Sequence, residues 1–178
     1  VCAQTSATHT RRGERIQQLW SGYGELVRVH VVGRRSSPQS GSVVVKHVRP
    51  KALRRGTRSA DARGHARKLR SYEVEQRWYQ QYAERCGTGC RVPRLLGARS
   101  RGSDRLMLLE DLDQSGFAGR RRCMSGDDLA AGLSWLAHLH ATFLGVRPDG
   151  LWAEGTYWHL ATRPDELDAM PRSLLKAC

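Results

Sequence analysis

Valine gathers at two places in the chain, and each place reads as a strand. Residues 25–32 are rich in valine, and Gly41-Ser42-Val43-Val44-Val45-Lys46-His47-Val48 reads as a strand that is largely apolar on both faces. Alternate residues of a strand share a face, so Lys46 points with Val44 and Val48, while Val43, Val45 and His47 point the other way. Residues 16–20 predict a preceding strand, joined to residues 25–32 by the tight turn Ser21-Gly22-Tyr23-Gly24. Residues 1–13 have no apolar periodicity and predict a frayed end. Residues 34–41, with two serines, Pro38 and Gly41, predict a loop into the lysine strand. Residues 95–98 and 105–109 read as a strand pair around Arg101-Gly102-Ser103-Asp104.

A helical period appears in residues 72–86. Tyr72, Tyr79, Tyr82 and Cys86 fall on one narrow side of a wheel, with Glu73, Gln76, Arg77, Gln80, Gln81 and Glu84 opposite. Gly87 and Gly89 end this helix, and Val92-Pro93 opens an extended piece. Later, Ser125 followed by Asp128 resembles a capping box with Asp in place of Glu. Leu129, Leu133, Leu136, His140 and Phe143 then form one stripe, closed by Gly145. His140 on that stripe reads as a packed core histidine, and Trp152, Tyr157 and Trp158 read as packing between helices. Pro164, with Asp165 and Glu166 beside it, starts a last helix. The expected class is α+β: about five antiparallel strands with one helix against them, then further helices.

Two charges break these apolar patterns. Lys46 lies in the middle of the valine strand, and Glu75 lies inside the apolar stripe of the helix that follows. A lysine on an apolar face is costly unless an anion meets it. A buried Lys46–Glu75 pair is therefore expected, which is weak evidence for stability but better evidence for a site. The alternative is that Lys46 snorkels at a strand end and Glu75 reaches solvent at the helix edge.

Composition narrows the function classes. The chain has 178 residues and a net charge of +13, carried mostly by arginine. That length suits one domain or two small lobes. The densest basic stretch is residues 49–70, where Arg49, Lys51, Arg54, Arg55, Arg58, Arg63, Arg67, Lys68 and Arg70 face one acid, Asp61. Such a stretch invites RNA, but no aromatic residue interrupts it to stack on bases. It reads better as a solvated basic loop near a phosphate site. Five scattered cysteines, Cys2, Cys86, Cys90, Cys123 and Cys178, favour free thiols in a reducing compartment. Cys86 and Cys90 lack a second ligand pair at zinc spacing. No apolar run approaches the ~18 residues of a membrane helix, and residues 1–12 have no hydrophobic signal core, so a soluble, cytoplasmic protein is expected. There is no G-x-x-x-x-G-K-[ST] phosphate loop.

The strand Val43-Val44-Val45-Lys46 followed by a helix with a buried glutamate resembles the small lobe of the protein-kinase-like fold. Together with Ser71-Tyr72-Glu73-Val74-Glu75-Gln76-Arg77-Trp78-Tyr79, Val92-Pro93 and Leu108-Leu109-Glu110-Asp111-Leu112, the pattern resembles the aminoglycoside phosphotransferase and choline kinase group, nearest its ecdysteroid kinase-like (CHK kinase-like) branch. The resemblance covers about residues 16–144. It implies a nucleotide-binding small lobe over residues 1–113 and the start of a helical large lobe over 114–178. It implies ATP and magnesium as cofactors and an alcohol of a small molecule as phosphate acceptor. Lys46 would neutralise the phosphates and Glu75 would position Lys46. Ser21, Gly22, Tyr23 and Gly24 would cover the phosphates. Glu110 and Leu112 would meet the adenine edge through their backbone, with Leu109 shaping the pocket.

The sequence departs from that group in two motifs. Its His-Gly-Asp loop with a following Asn, and its later strand aspartate, do not occur here. No catalytic residue is therefore assigned within these residues. The chain reads as an N-terminal fragment, inactive alone, with magnesium ligands expected beyond Cys178. Two other readings stand beside the kinase: a basic RNA-binding module acting through residues 49–70, and a catalytically silent relative that keeps the lobe as a binding surface.

Overall fold

The computed structural model describes residues 9–32, 41–52, 56, 58–117, 119–154, 159 and 162–171. Cys2, Cys178, Tyr157, Trp158 and the loop expected over residues 34–40 lie outside the described residues. Five strands, β1 (His9–Gln18), β2 (Gly24–Val32), β3 (Gly41–Val48), β4 (Leu95–Arg101) and β5 (Asp104–Glu110), form one antiparallel sheet in the order β1-β2-β3-β5-β4. The helices are α1 (Ser59–Gln81), α2 (Gly126–Phe143) and α3 (Pro164–Asp168). The expected α+β class and the five-stranded antiparallel sheet are both present. Among the described residues no helix is long and apolar enough to cross a membrane.

The lysine strand β3 is central, flanked by β2 and β5. Leu26, Lys46, Met107 and Ala98 are opposite one another on successive strands, so they form a single row on one face. That face receives α1. Met107 and Val48 are almost wholly buried, and Val48 packs with Leu19 and Tyr72. The β4–β5 hairpin closes through Gly102-Ser103, with Arg101 opposite Asp104. Gly102 has φ 59°, the left-handed region that a two-residue hairpin turn requires.

Several sequence expectations shift here, each for a physical reason. His9 to Arg12 are paired with Val32 to Val29 and belong to β1 instead of a frayed end. They are exposed, because an edge strand is held by its backbone ladder and needs no alternation of apolar residues. The strand expected through Trp20 stops at Gln18, and Trp20 enters a short 3₁₀ turn. The basic stretch lies outside any regular element at residues 49–52, and from Ser59 it is the first half of α1. Ala62, Ala66, Leu69 and the arginines are good helix formers, and Asp61 lies in the positively polarised first turn. The expected helix of residues 72–86 is thus the second half of a 23-residue helix that ends at Gln81.

Gln76 was expected on the solvent side of α1 and is buried, 6% exposed. Its amide donates to the Ser100 hydroxyl at 2.9 Å and that hydroxyl returns a bond to Oε1 at 3.1 Å, which removes the cost of burying it. Helix α2 starts with the expected reciprocal capping box between Ser125 and Asp128. It lies against the turn Thr88–Cys90, so close that a Cβ on Gly89 would come within 2.7 Å of the His138 ring. Trp135 donates to the Arg91 carbonyl at 3.0 Å, and Phe143 packs on Trp78 and Tyr82. His140 is exposed instead of packed in a core. Leu129, Leu133 and Leu136 are 53%, 57% and 42% exposed.

Candidate functional site

Lys46 and Glu75 meet. The Lys46 ammonium donates to both carboxylate oxygens of Glu75, at 2.5 and 2.6 Å. Lys46 is nearly enclosed by its row of apolar neighbours, with 12% of its side chain exposed, whereas Glu75 is about a third exposed at 34%. The carboxylate thus keeps partial hydration while it satisfies the buried cation, which lowers the desolvation cost that a fully enclosed pair would incur. The Tyr72 ring lies 5.5 Å below the ammonium and adds a cation–π contact.

Two clefts adjoin at this pair, and both Lys46 and Glu75 line both. One, of about 610 Å³, is walled by Leu26, Arg28 and Val44 of the sheet, by Tyr79 of α1, and by the segment Leu109, Glu110, Asp111 and Leu112. The other, of about 970 Å³, lies between α1 and residues 139–153 and carries Trp20, Lys68, Trp78 and Trp152. Of the sequence-proposed residues, Lys46, Glu75, Leu109, Glu110 and Leu112 are therefore brought around one cavity. Burial, and then the nearby Glu75 charge, push the Tyr79 phenol up to about 12, so it stays a neutral hydroxyl there.

The turn residues Ser21, Gly22, Tyr23 and Gly24 line neither of these two clefts. Tyr23 turns onto the helix: its hydroxyl lies 2.6 Å from His65 Nδ1 and its ring packs on Tyr72. The N–H groups of Gly22 and Tyr23 donate to the carbonyls of Leu19 and Trp20 within the turn. Gly24 is needed for close approach, since a Cβ there would come 1.9 Å from the His47 carbonyl oxygen. The neighbouring Trp20, 74% exposed, is the part of this turn that reaches the larger cleft.

Glu110 uses its side chain to fasten the segment that follows β5. Burial alone would raise its pKa, but bonds from Arg91, from Ser115 and from the Arg94 N–H bring it down to about 2. Its backbone N–H donates to the Arg94 carbonyl at 2.9 Å. Next to it, Asp111 is buried and accepts from Arg28 Nε at 2.5 Å and from the Ser42 hydroxyl at 2.5 Å. Burial opposes the charge on Asp111, and the Arg28 and Ser42 bonds hold its pKa below the ordinary value. Arg28 also bonds Glu14 and Asp113, so one guanidinium links β1, β2 and the post-β5 segment.

Sequence reasoning missed the Arg28–Asp111 link, although its signal was of the kind that exposed Lys46. Arg28 interrupts Leu26-Val27 and Val29 just as Lys46 interrupts the valines of β3. The basic helix half is also tied inward. Arg67 bonds Asp165 at 2.7 Å and Glu166 at 3.1 Å, and Arg63 reaches Asp165 at 3.3 Å. Among the described residues no group of three or more His, Cys, Asp or Glu side chains could hold a metal ion. No protein-family model and no curated protein sequence matches the chain.

Proposed function

We propose that this chain is the nucleotide-binding part of an ATP-dependent kinase that phosphorylates an alcohol group on a small molecule. The observation that carries the reading is the Lys46–Glu75 pair at the junction of two clefts, with the post-β5 segment walling one of them. Lys46 offers a fixed cation to the inner phosphates, and Glu75 aims it. Leu109 forms an apolar wall for a base, and the backbone at Glu110 and Leu112 reads its edge. The resemblance to the aminoglycoside phosphotransferase and choline kinase group supports the same assignment for each of these residues.

Magnesium would offset the charge of a bound triphosphate. Lys46→Met tests the reading. ATP affinity should fall at least about tenfold with the circular dichroism spectrum unchanged. Equal ATP affinity in the two proteins would remove Lys46 from the site.

Within the basic stretch Arg63 and Arg67 face Asp165 and Glu166, which favours the kinase reading over the RNA one at these two positions. A steep fall in RNA affinity with salt, abolished by neutralising residues 49–70, would restore it.

A further inference from the structure

The sheet carries a third cleft, on the side turned away from α1, and its walls are basic. Leu26 and Lys46 pair on the α1 face, so their neighbours Glu25 and His47, also opposite one another on β2 and β3, belong to the other face. Gln18 of β1 stands opposite Glu25. At this end of the three strands a cleft of about 420 Å³ is lined by Gln18, Glu25 and His47 together with Arg15, Arg49 and Lys51. Arg49 is held at the end of β3, where its N–H donates to the Tyr23 carbonyl at 2.7 Å and Pro50 fixes the backbone after it. Arg15 also reaches the smaller of the two clefts at Lys46.

The charges of this cleft do not balance. All 17 Asp and Glu residues of the chain lie among the described residues, and Glu25 is the one of them that lines it. Both oxygens of Glu25 already accept from Arg12, at 2.9 and 2.8 Å. Arg15, Arg49 and Lys51 are exposed, and among the described residues none of the three forms a salt bridge. Three cations around one hollow, with its carboxylate neutralised from outside, favour an anion that concentrates more than one charge. A phosphate ester carries about two negative charges at neutral pH, and its oxygens match the guanidinium fork. The cleft has the size of a small-molecule site, whereas a nucleic-acid backbone spreads single charges along a strand. We propose that Arg15, Arg49 and Lys51 form a binding site for a phosphomonoester or diphosphate group. The site stands on the far side of the sheet from Lys46 and does not depend on the nucleotide reading.

Calorimetric titration of the full chain with inorganic phosphate and inorganic pyrophosphate tests this, in the wild type and again with Lys46→Met, so that binding at the Lys46 clefts is measured apart. Lys46→Gln serves if the Met protein does not fold. Arg49→Gln and Lys51→Gln together should weaken pyrophosphate about tenfold or more. Arg99→Gln and Arg101→Gln together remove the same charge from the opposite edge strand β4 and should change it by less than about twofold. Phosphatidylcholine vesicles doped with a phosphatidylinositol monophosphate separate the sources. Capture that is lost in the Arg49, Lys51 variant assigns the group to a lipid headgroup, and pyrophosphate binding without capture assigns it to a soluble compound. No binding of pyrophosphate or vesicles, equal losses in the two double variants, or no loss in a folded Arg49, Lys51 variant overturns the proposal. So does polyuridine RNA that binds through Arg49 and Lys51 more tightly than pyrophosphate at the same salt, which would make the cleft part of an RNA surface. With Lys46 replaced, each of these results leaves the nucleotide reading standing.

Discussion

The guanidinium of Arg28 and the carboxylate of Asp111 meet across 83 positions of sequence, with Asp111 only 3% exposed. This link anchors the segment after β5 to the middle of β2, so the wall of the smaller cleft is held by a charge pair as well as by the strand ladder. Removing one member of a buried pair leaves the other uncompensated. Asp111→Ala should cost about 3 kcal/mol in urea unfolding. The Arg28→Met, Asp111→Leu double variant should recover part of that loss. A single-variant cost below about 1 kcal/mol would mean that Glu14 and Asp113 alone satisfy Arg28.

Gln76 offers a neutral counterpart. Its side chain exchanges two hydrogen bonds with Ser100, which connects α1 to β4. Gln76→Ala should destabilise by roughly 1–3 kcal/mol through lost bonds and lost packing. Ser100→Ala should cost less in the presence of Gln76→Ala than alone, and a double-variant cycle measures the coupling. Additive losses would show that the two side chains act independently.

Acid should unfold the protein partly through Glu110. Its pKa is lowered from 4.5 to about 2 in the fold, so the folded state binds this proton less readily than the unfolded chain. The stabilisation is fully present above about pH 4.5 and is lost as pH falls toward about 2. It amounts to on the order of 3 kcal/mol at most. Denaturant midpoints measured across that interval should fall with pH, and Glu110→Gln should flatten the slope. An unchanged slope in the variant would assign acid sensitivity to other carboxylates, Asp111 first.

The outward stripe of α2 predicts self-association. Leu129, Leu133 and Leu136 are all at least 42% exposed and lie on one helical face. Replacing Leu129 and Leu133 with Gln should lower the light scattering of concentrated solutions while changing stability by no more than about 0.5 kcal/mol. A monodisperse wild type at high concentration would remove this prediction.

What could be read from the chain was what local pattern records. Lys46 and Glu75 stood out because each is a charge inside an apolar period. The Ser125–Asp128 cap was legible because both partners sit within one turn. The wheel puts Gln76 on the wrong side because it sorts by polarity and cannot see Ser100, 24 residues further on. His9 to Arg12 were unreadable as a strand because their partners, Val29 to Val32, supply all the apolar character of the pairing. The first half of α1 is hidden by its arginines, of which Arg63 and Arg67 find their acidic partners, Asp165 and Glu166, about a hundred residues further on.

The sheet order also bears on when the site can exist during folding. Strands β1, β2 and β3 are joined by hairpins of consecutive strands, as are β4 and β5, whereas β3 meets β5 only after α1 and some fifty residues of chain have been spanned. Closing that long loop is the entropically demanding event, and short-range hairpins form sooner. Lys46 lies on one side of the seam, and Leu109, Glu110 and Leu112 lie on the other. In refolding experiments, if the proposed nucleotide site is real, its ligand capture should lag behind the appearance of strand signal and coincide with the β3–β5 closure.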